Sequence, residues 1–222
     1  MFPNSSLSGS IEIPDDATFW MPRPTDISGD GIGAYFHDTW LIKDVPVREA
    51  RELRQKERRI AEIVDRLAPT AEDFDRLAGA VEGDFDPDLP SGGCNLTSTE
   101  LAALREYLPA DEDEPTALDS LELGVAGLAY ALTTVRIIPT ASCRGHPGER
   151  PWSDVPVVFF AATEFRAKAL QLLAKSTGCR FGIDTARPDL IALEGRSILD
   201  TMALADAILV NRHTFIRSRS GQ

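Results

Sequence analysis

Long apolar runs are missing from this 222-residue chain. Every strongly apolar stretch is broken by charge within about a dozen residues, against the roughly 20 that a membrane-spanning helix needs, so no membrane partner is expected. Cysteine is scarce: Cys94, Cys143 and Cys179 are too few and too scattered for a disulfide framework, and all three read as free thiols of a reducing compartment. Met1 to Ser10 lacks the basic-then-apolar pattern of a secretory signal, so the expected location is cytoplasmic. Lysine is rare as well, four against nineteen arginines, a bias that matches codon supply in a GC-rich genome better than it matches phosphate binding.

What is abundant is acid, and it is unevenly placed. Residues 1–120 hold 11 basic and 26 acidic side chains, net −15, whereas residues 121–222 hold 12 and 9, net +3, which together give the chain's −12. An acidic surface repels nucleic acid, so only the C-terminal half is expected to meet a phosphate or nucleic acid. The acidic half is either a solvated surface or a contact surface for a protein partner.

Residues 1–45 carry repeated Pro and Gly among Trp20, Tyr35, Phe36 and Trp40, and read as irregular. Ala50, Leu53, Ile60, Ile63, Val64 and Leu67 line one face of a helix over 47–67, with Arg and Glu on the other, and Pro69 stops it. A second helix is predicted over 71–80 behind Thr70 and Asp73. A third, ending near Leu108, follows a capping box of Thr97 and Glu100. No alternating strand pattern is visible in this half. The acidic break from Asp111 to Pro115 marks a boundary between a region 1–115 that is irregular, then helical and acidic, and a domain 116–222.

Beyond that break the pattern changes. Thr116 is placed to cap a helix carrying Leu118, Leu121, Val125, Leu128 and Leu132 at helical spacing. Strands are predicted over 135–141, where Pro139 marks an edge or a bulge, and over 155–162. A helix over 164–176, with Phe165, Ala169, Leu172 and Leu173 inward, ends at Gly178. Short strands over 180–183 and 190–194 flank a turn, and the last helix runs from about Ile198 to Val210. The order α-β-β-α-β-β-α predicts an α+β class, a mixed sheet with packed helices.

Two segments invite chemistry. Asp119-Ser120-Leu121 has the letters of an acyl carrier protein's attachment serine, but strands follow it where a carrier continues in helices, and Thr116 with Asp119 explains the same letters as helix-start chemistry. The richer segment is Thr140-Ala141-Ser142-Cys143-Arg144-Gly145-His146, at the end of a strand. As a catalytic pair, Cys143 would be a nucleophile whose thiol is activated by His146 or Arg144, with Asp154 or Asp184 to orient the imidazole. As a metal site it supplies two ligands, and Cys94, Cys179, His37 and His213 show no paired spacing to complete four, so no metal is assigned. As a binding loop, Ser142, Arg144 and the backbone at Gly145 would hold a small anionic or nucleotide-like ligand, Arg144 by a forked contact. A purely structural reading makes Cys143 a buried small residue, Gly145 a turn and His146 a hydrogen-bonded side chain. The residues by themselves specify no cofactor.

The order of helix, strand, Ser142-Cys143-Arg144-Gly145-His146, Trp152 loop, strand Val157–Ala162, helix with Leu172-Leu173, and Gly178-Cys179-Arg180-Phe181-Gly182-Ile183 resembles the tRNA wybutosine-synthesising methyltransferase family that performs the N4-methylation step. The likeness spans residues 118–200, with Ala141 and His146 where that family has Ser and Arg. The segment is also similar to uncharacterised bacterial and phage proteins bearing Ser-Cys-x-Gly-His. The resemblance implies a ligand surface near Ser142, Cys143 and Gly145, on a scaffold that elsewhere handles S-adenosylmethionine and an RNA base.

Overall fold

The computed structural model describes residues 2, 7, 9–23, 34–36, 39–42, 44–83, 98–109, 115–146, 153–184 and 186–216. Thr97 of the expected capping box, Cys94, His37 and Trp152 lie outside them. Among the described residues no helix is long and apolar enough to cross a membrane.

The chain opens with a short antiparallel hairpin, β1 (Ala34–Phe36) and β2 (Thr39–Leu41), in a region whose sequence shows no strand alternation. Strands of three residues are too short to display a period of two, which is why the pattern missed them. Helices α1 (Val47–Leu67) and α2 (Ala71–Glu82) follow, the second capped by Thr70, whose hydroxyl accepts from the Asp73 amide at 3.1 Å. Helix α3 spans Ser98–Arg105.

The expected helix after Thr116 does not start there. The Thr116 hydroxyl accepts from Ser120 N–H at 2.8 Å and closes a turn, and Asp119 (φ 54°) and Ser120 (φ 61°) adopt the left-handed conformation that ends it. Only at α4 (Ala126–Thr133) does the helix run. Of the residues at helical spacing, Leu128 and Leu132 fall in α4, whereas Leu118 and Val125 are fully buried ahead of it, in the turn.

Strands β3 (Ile138–Cys143) and β4 (Val157–Ala161), helix α5 (Glu164–Thr177), strands β5 (Arg180–Ile183) and β6 (Ile191–Glu194) and helix α6 (Ile198–Val210) complete the expected order. The sheet runs β3-β4-β6-β5 and every pairing is antiparallel. The α+β class therefore holds, but the sheet is antiparallel throughout, not mixed. β4 and β5, each antiparallel to the β6 between them, run in the same direction, and α5 makes the crossover that joins them. β3 is an edge strand, and its register shifts between Pro139 and Ala141, consistent with a proline that cannot donate to a ladder. In α5 the buried residues are Ala167, Ala169, Leu170 and Ala174, so Ala169 is inward as expected. Leu172, expected inside, is 69% exposed.

One hydrophobic cluster joins Leu53 and Ile60 of α1 and Phe74 of α2 with Leu128, Phe160 and Ile208 from beyond the acidic break. Helix α1 packs against α4, and α4 against α6. Two charged residues on α1 sit inside this packing. Arg54 is 3% exposed and donates to the Met202 carbonyl at 3.2 Å and to Asp206 at 2.6 Å. Glu57 is 0% exposed, and its Oε1 accepts from the amides of Gly127 (3.1 Å), a first-turn donor of α4, and of Gly124 (3.0 Å), just ahead of the N-cap Val125. A carboxylate from one helix thus caps another.

Candidate functional site

The end of β3 turns back sharply. Gly145 has φ +81°, and a Cβ there would lie 2.6 Å from the Val155 carbonyl carbon, so this glycine is required by the chain's approach to itself. The His146 amide then donates to the Ser153 carbonyl at 3.0 Å, fixing the return toward β4. The close approach anticipated at Gly145 is to Val155, not to a ligand.

Arg144 is likewise turned inward. Its side chain is 3% exposed and forks onto Glu82, Nε to Oε1 at 2.9 Å and Nη2 to Oε2 at 3.1 Å, while Nη1 reaches Asp75 Oδ1 at 2.5 Å. Its backbone N–H donates to Glu122 Oε2. Burial alone would lower the guanidinium pKa, but the charges and hydrogen bonds of Glu82 and Asp75 more than reverse that, so Arg144 stays cationic. Arg144 therefore does not serve as the expected ligand fork, because carboxylates of α2 already occupy its planar donor face. The charge asymmetry between the halves is used here: acids from the acidic half neutralise the arginine of the motif.

Cys143 and His146 share the carboxylates that Arg144 touches. Cys143 is 2% exposed, its sulfur accepting from the Gly145 amide at 3.4 Å. Burial first, and then the charge of Glu122, pushes its thiol up to about 11, so near neutral pH it keeps its proton. That runs against the expected thiolate nucleophile, since a reactive cysteine needs a lowered value. His146 places Nδ1 3.0 Å from Asp75 Oδ1 and Nε2 3.5 Å from Glu122 Oε2. The carboxylates that orient the imidazole are thus Asp75 and Glu122. Asp184 instead pairs with Arg187 at 2.7 Å, and Asp154 is exposed. Among the described residues Glu122, Cys143 and His146 bring three metal-ligating atoms within 4.8 Å of one another.

Ser142 lines a cleft of about 310 Å³ together with Trp40, Ile42, Ser120, Leu121, Glu122 and Arg187. A second cleft of about 600 Å³ shares Trp40, Ile42, Ser120 and Leu121 with it and extends to Asp119 and Tyr130, whose hydroxyl donates to Asp119 at 2.9 Å. No protein family, curated protein or solved structure matches this chain. The cleft and the cluster beside it stand on their geometry.

Of the expected site residues, the structure brings Cys143 and His146 together beside Glu122, sets Ser142 on the cleft wall, and commits Arg144 and Gly145 to the fold. Sequence reasoning missed Asp75, Glu82, Glu122, Trp40 and Arg187. One signal was available: Asp75 and Glu82 are seven residues apart, two turns along one side of α2.

Proposed function

We propose that this protein binds a small anionic or nucleotide-like ligand in the cleft between β2, the 119–122 turn and β3. The observation that carries this reading is the lining itself. Trp40, 45% exposed, offers an aromatic face for a base. Arg187, whose guanidinium lies 5.3 Å from the centre of the Phe159 ring and whose Nε donates to Asp184 at 2.7 Å, stands on the same wall and brings a guanidinium to it. Glu122 supplies an acceptor of the kind that holds ribose hydroxyls, and Ser120 and Ser142 add hydroxyl groups. A further support is the backbone: consecutive left-handed conformations at Asp119 and Ser120 cost of order 1–3 kcal/mol each, and such strain concentrates at ligand sites.

S-adenosylmethionine and an RNA nucleoside both fit this chemistry, and the resemblance of the segment 118–200 to a methyltransferase scaffold points the same way. The test is a thermal-shift panel of nucleotides and S-adenosylmethionine on the wild type, Trp40→Ala and Arg187→Ala. A ligand at a hundred times its Kd adds about 2.7 kcal/mol to stability, roughly 5–10 °C for a chain of this size. Both substitutions should abolish the shift. A flat panel on wild type would refute the reading.

A further inference from the structure

Beside the cleft, Glu122, Cys143 and His146 form a donor set whose lone pairs converge on one point. His146 Nδ1 lies 3.0 Å from Asp75 Oδ1 and 3.5 Å from Arg144 Nη2, and in the tautomer that donates from Nδ1 to Asp75 the Nε2 lone pair is available to a metal. Nε2 lies 3.5 Å from Glu122 Oε2. A zinc-class ion held by nitrogen and oxygen at 2.0–2.2 Å in tetrahedral geometry sets its donors about 3.4 Å apart, which is the separation found. The Cys143 sulfur lies within 4.8 Å of both, so closing on an ion asks for a shift of about an ångström.

The surroundings agree in charge. Arg144 contributes one positive charge against the carboxylates of Asp75, Glu82 and Glu122, so these four groups sum to −2 when ionised. With the Cys143 thiolate that metal binding requires the sum is −3, and a dication reduces it to −1. A metal would also supply the positive charge that Cys143 lacks, displacing the thiol proton to solvent as the sulfur–metal bond forms. The contact from Asp75 to the far ring nitrogen repeats the arrangement by which carboxylates orient metal-bound histidines.

We infer that Cys143 Sγ, His146 Nε2 and a Glu122 carboxylate oxygen bind a zinc-class divalent metal, with Asp75 as a positioning residue and the fourth coordination position open to water. Three protein ligands and an open position are the pattern of a reactive zinc centre, not of a closed structural one. Glu122 also lines the cleft, so the ion would sit at its margin. This inference does not rest on the cleft reading, because its test needs no organic ligand.

The experiment uses the full chain, stripped of metal, kept reduced and titrated with Co²⁺. The wild type should bind one equivalent, with a thiolate-to-cobalt charge-transfer band in the near ultraviolet and ligand-field bands of four-coordinate intensity. Cys143→Ser should lose the charge-transfer band, His146→Ala should weaken binding at least tenfold, and Asp75→Asn should weaken it about 10–100-fold with the band retained. Far-UV circular dichroism and melting of each metal-free variant separate lost ligation from lost fold. Absence of the band in folded wild type overturns the inference, as does a band that survives Cys143→Ser.

Discussion

Replacing Glu57 by glutamine should remove a pH dependence from folding. Glu57 is fully buried, and its Oε2 has no hydrogen-bond partner among the described residues while Oε1 receives the α4 amides. Burial outweighs those amides and the nearby Arg54, and lifts the carboxyl from 4.5 to about 7. The folded protein therefore holds this proton more tightly than the unfolded chain. The contribution to stability is complete below pH 4.5 and is lost as the pH rises through about 7, with a plateau above. A displacement from 4.5 to about 7 corresponds to about 3 kcal/mol over the whole window. In Glu57→Gln the amide oxygen can still accept from Gly124 and Gly127, but nothing titrates. Its NH₂ is left where Oε2 lacked a partner, a constant cost of about 1–3 kcal/mol. Urea unfolding of both proteins from pH 4.5 to 8.5, followed by tryptophan fluorescence and circular dichroism, gives the difference in stability at each pH. That difference should shift by about 3 kcal/mol in favour of the glutamine variant between the acid and alkaline ends. Because other groups titrate equally in both proteins, parallel curves would refute the assignment.

Gly145→Ala should destabilise by at least about 2 kcal/mol, combining the cost of a left-handed alanine with a methyl pressed against the Val155 backbone; unchanged urea midpoints would count against that turn geometry. Leu172→Glu should be tolerated within about 0.5 kcal/mol, because the side chain is 69% exposed, and a loss of several kcal/mol in the same assay would restore the inward placement read from the sequence.

Much of the fold was legible because long periodic segments carry their own signal. The bounds of α1 and α6 and of β5 follow from apolar spacing, Pro69, Gly178 and the flanking turns. The turn at 116–125 was misread because Leu118, Leu121 and Val125 repeat at a helical interval, and spacing alone does not report the left-handed residues that break the helix. Arg54 and Glu57 were placed on the solvent face of α1 because charge is the usual mark of exposure. Their partners, Asp206 and the α4 amides, lie some 70 to 150 residues away and leave no local trace. The same distance hid the site. Serine, cysteine and histidine were visible as a group, whereas Asp75, Glu82 and Glu122, which give that group its charge, come from elements brought in by the fold.

The central claim is that the Ser142–His146 segment divides into residues that build the fold and residues that face a ligand. Equilibrium unfolding of Arg144→Met and His146→Ala under identical conditions tests it most directly. Arg144→Met leaves the buried Glu82 carboxylate without its partner and should cost about 3–5 kcal/mol. His146, a third exposed, should cost no more than about 1 kcal/mol when replaced. Comparable costs for the two, or a neutral Arg144→Met, would contradict the division.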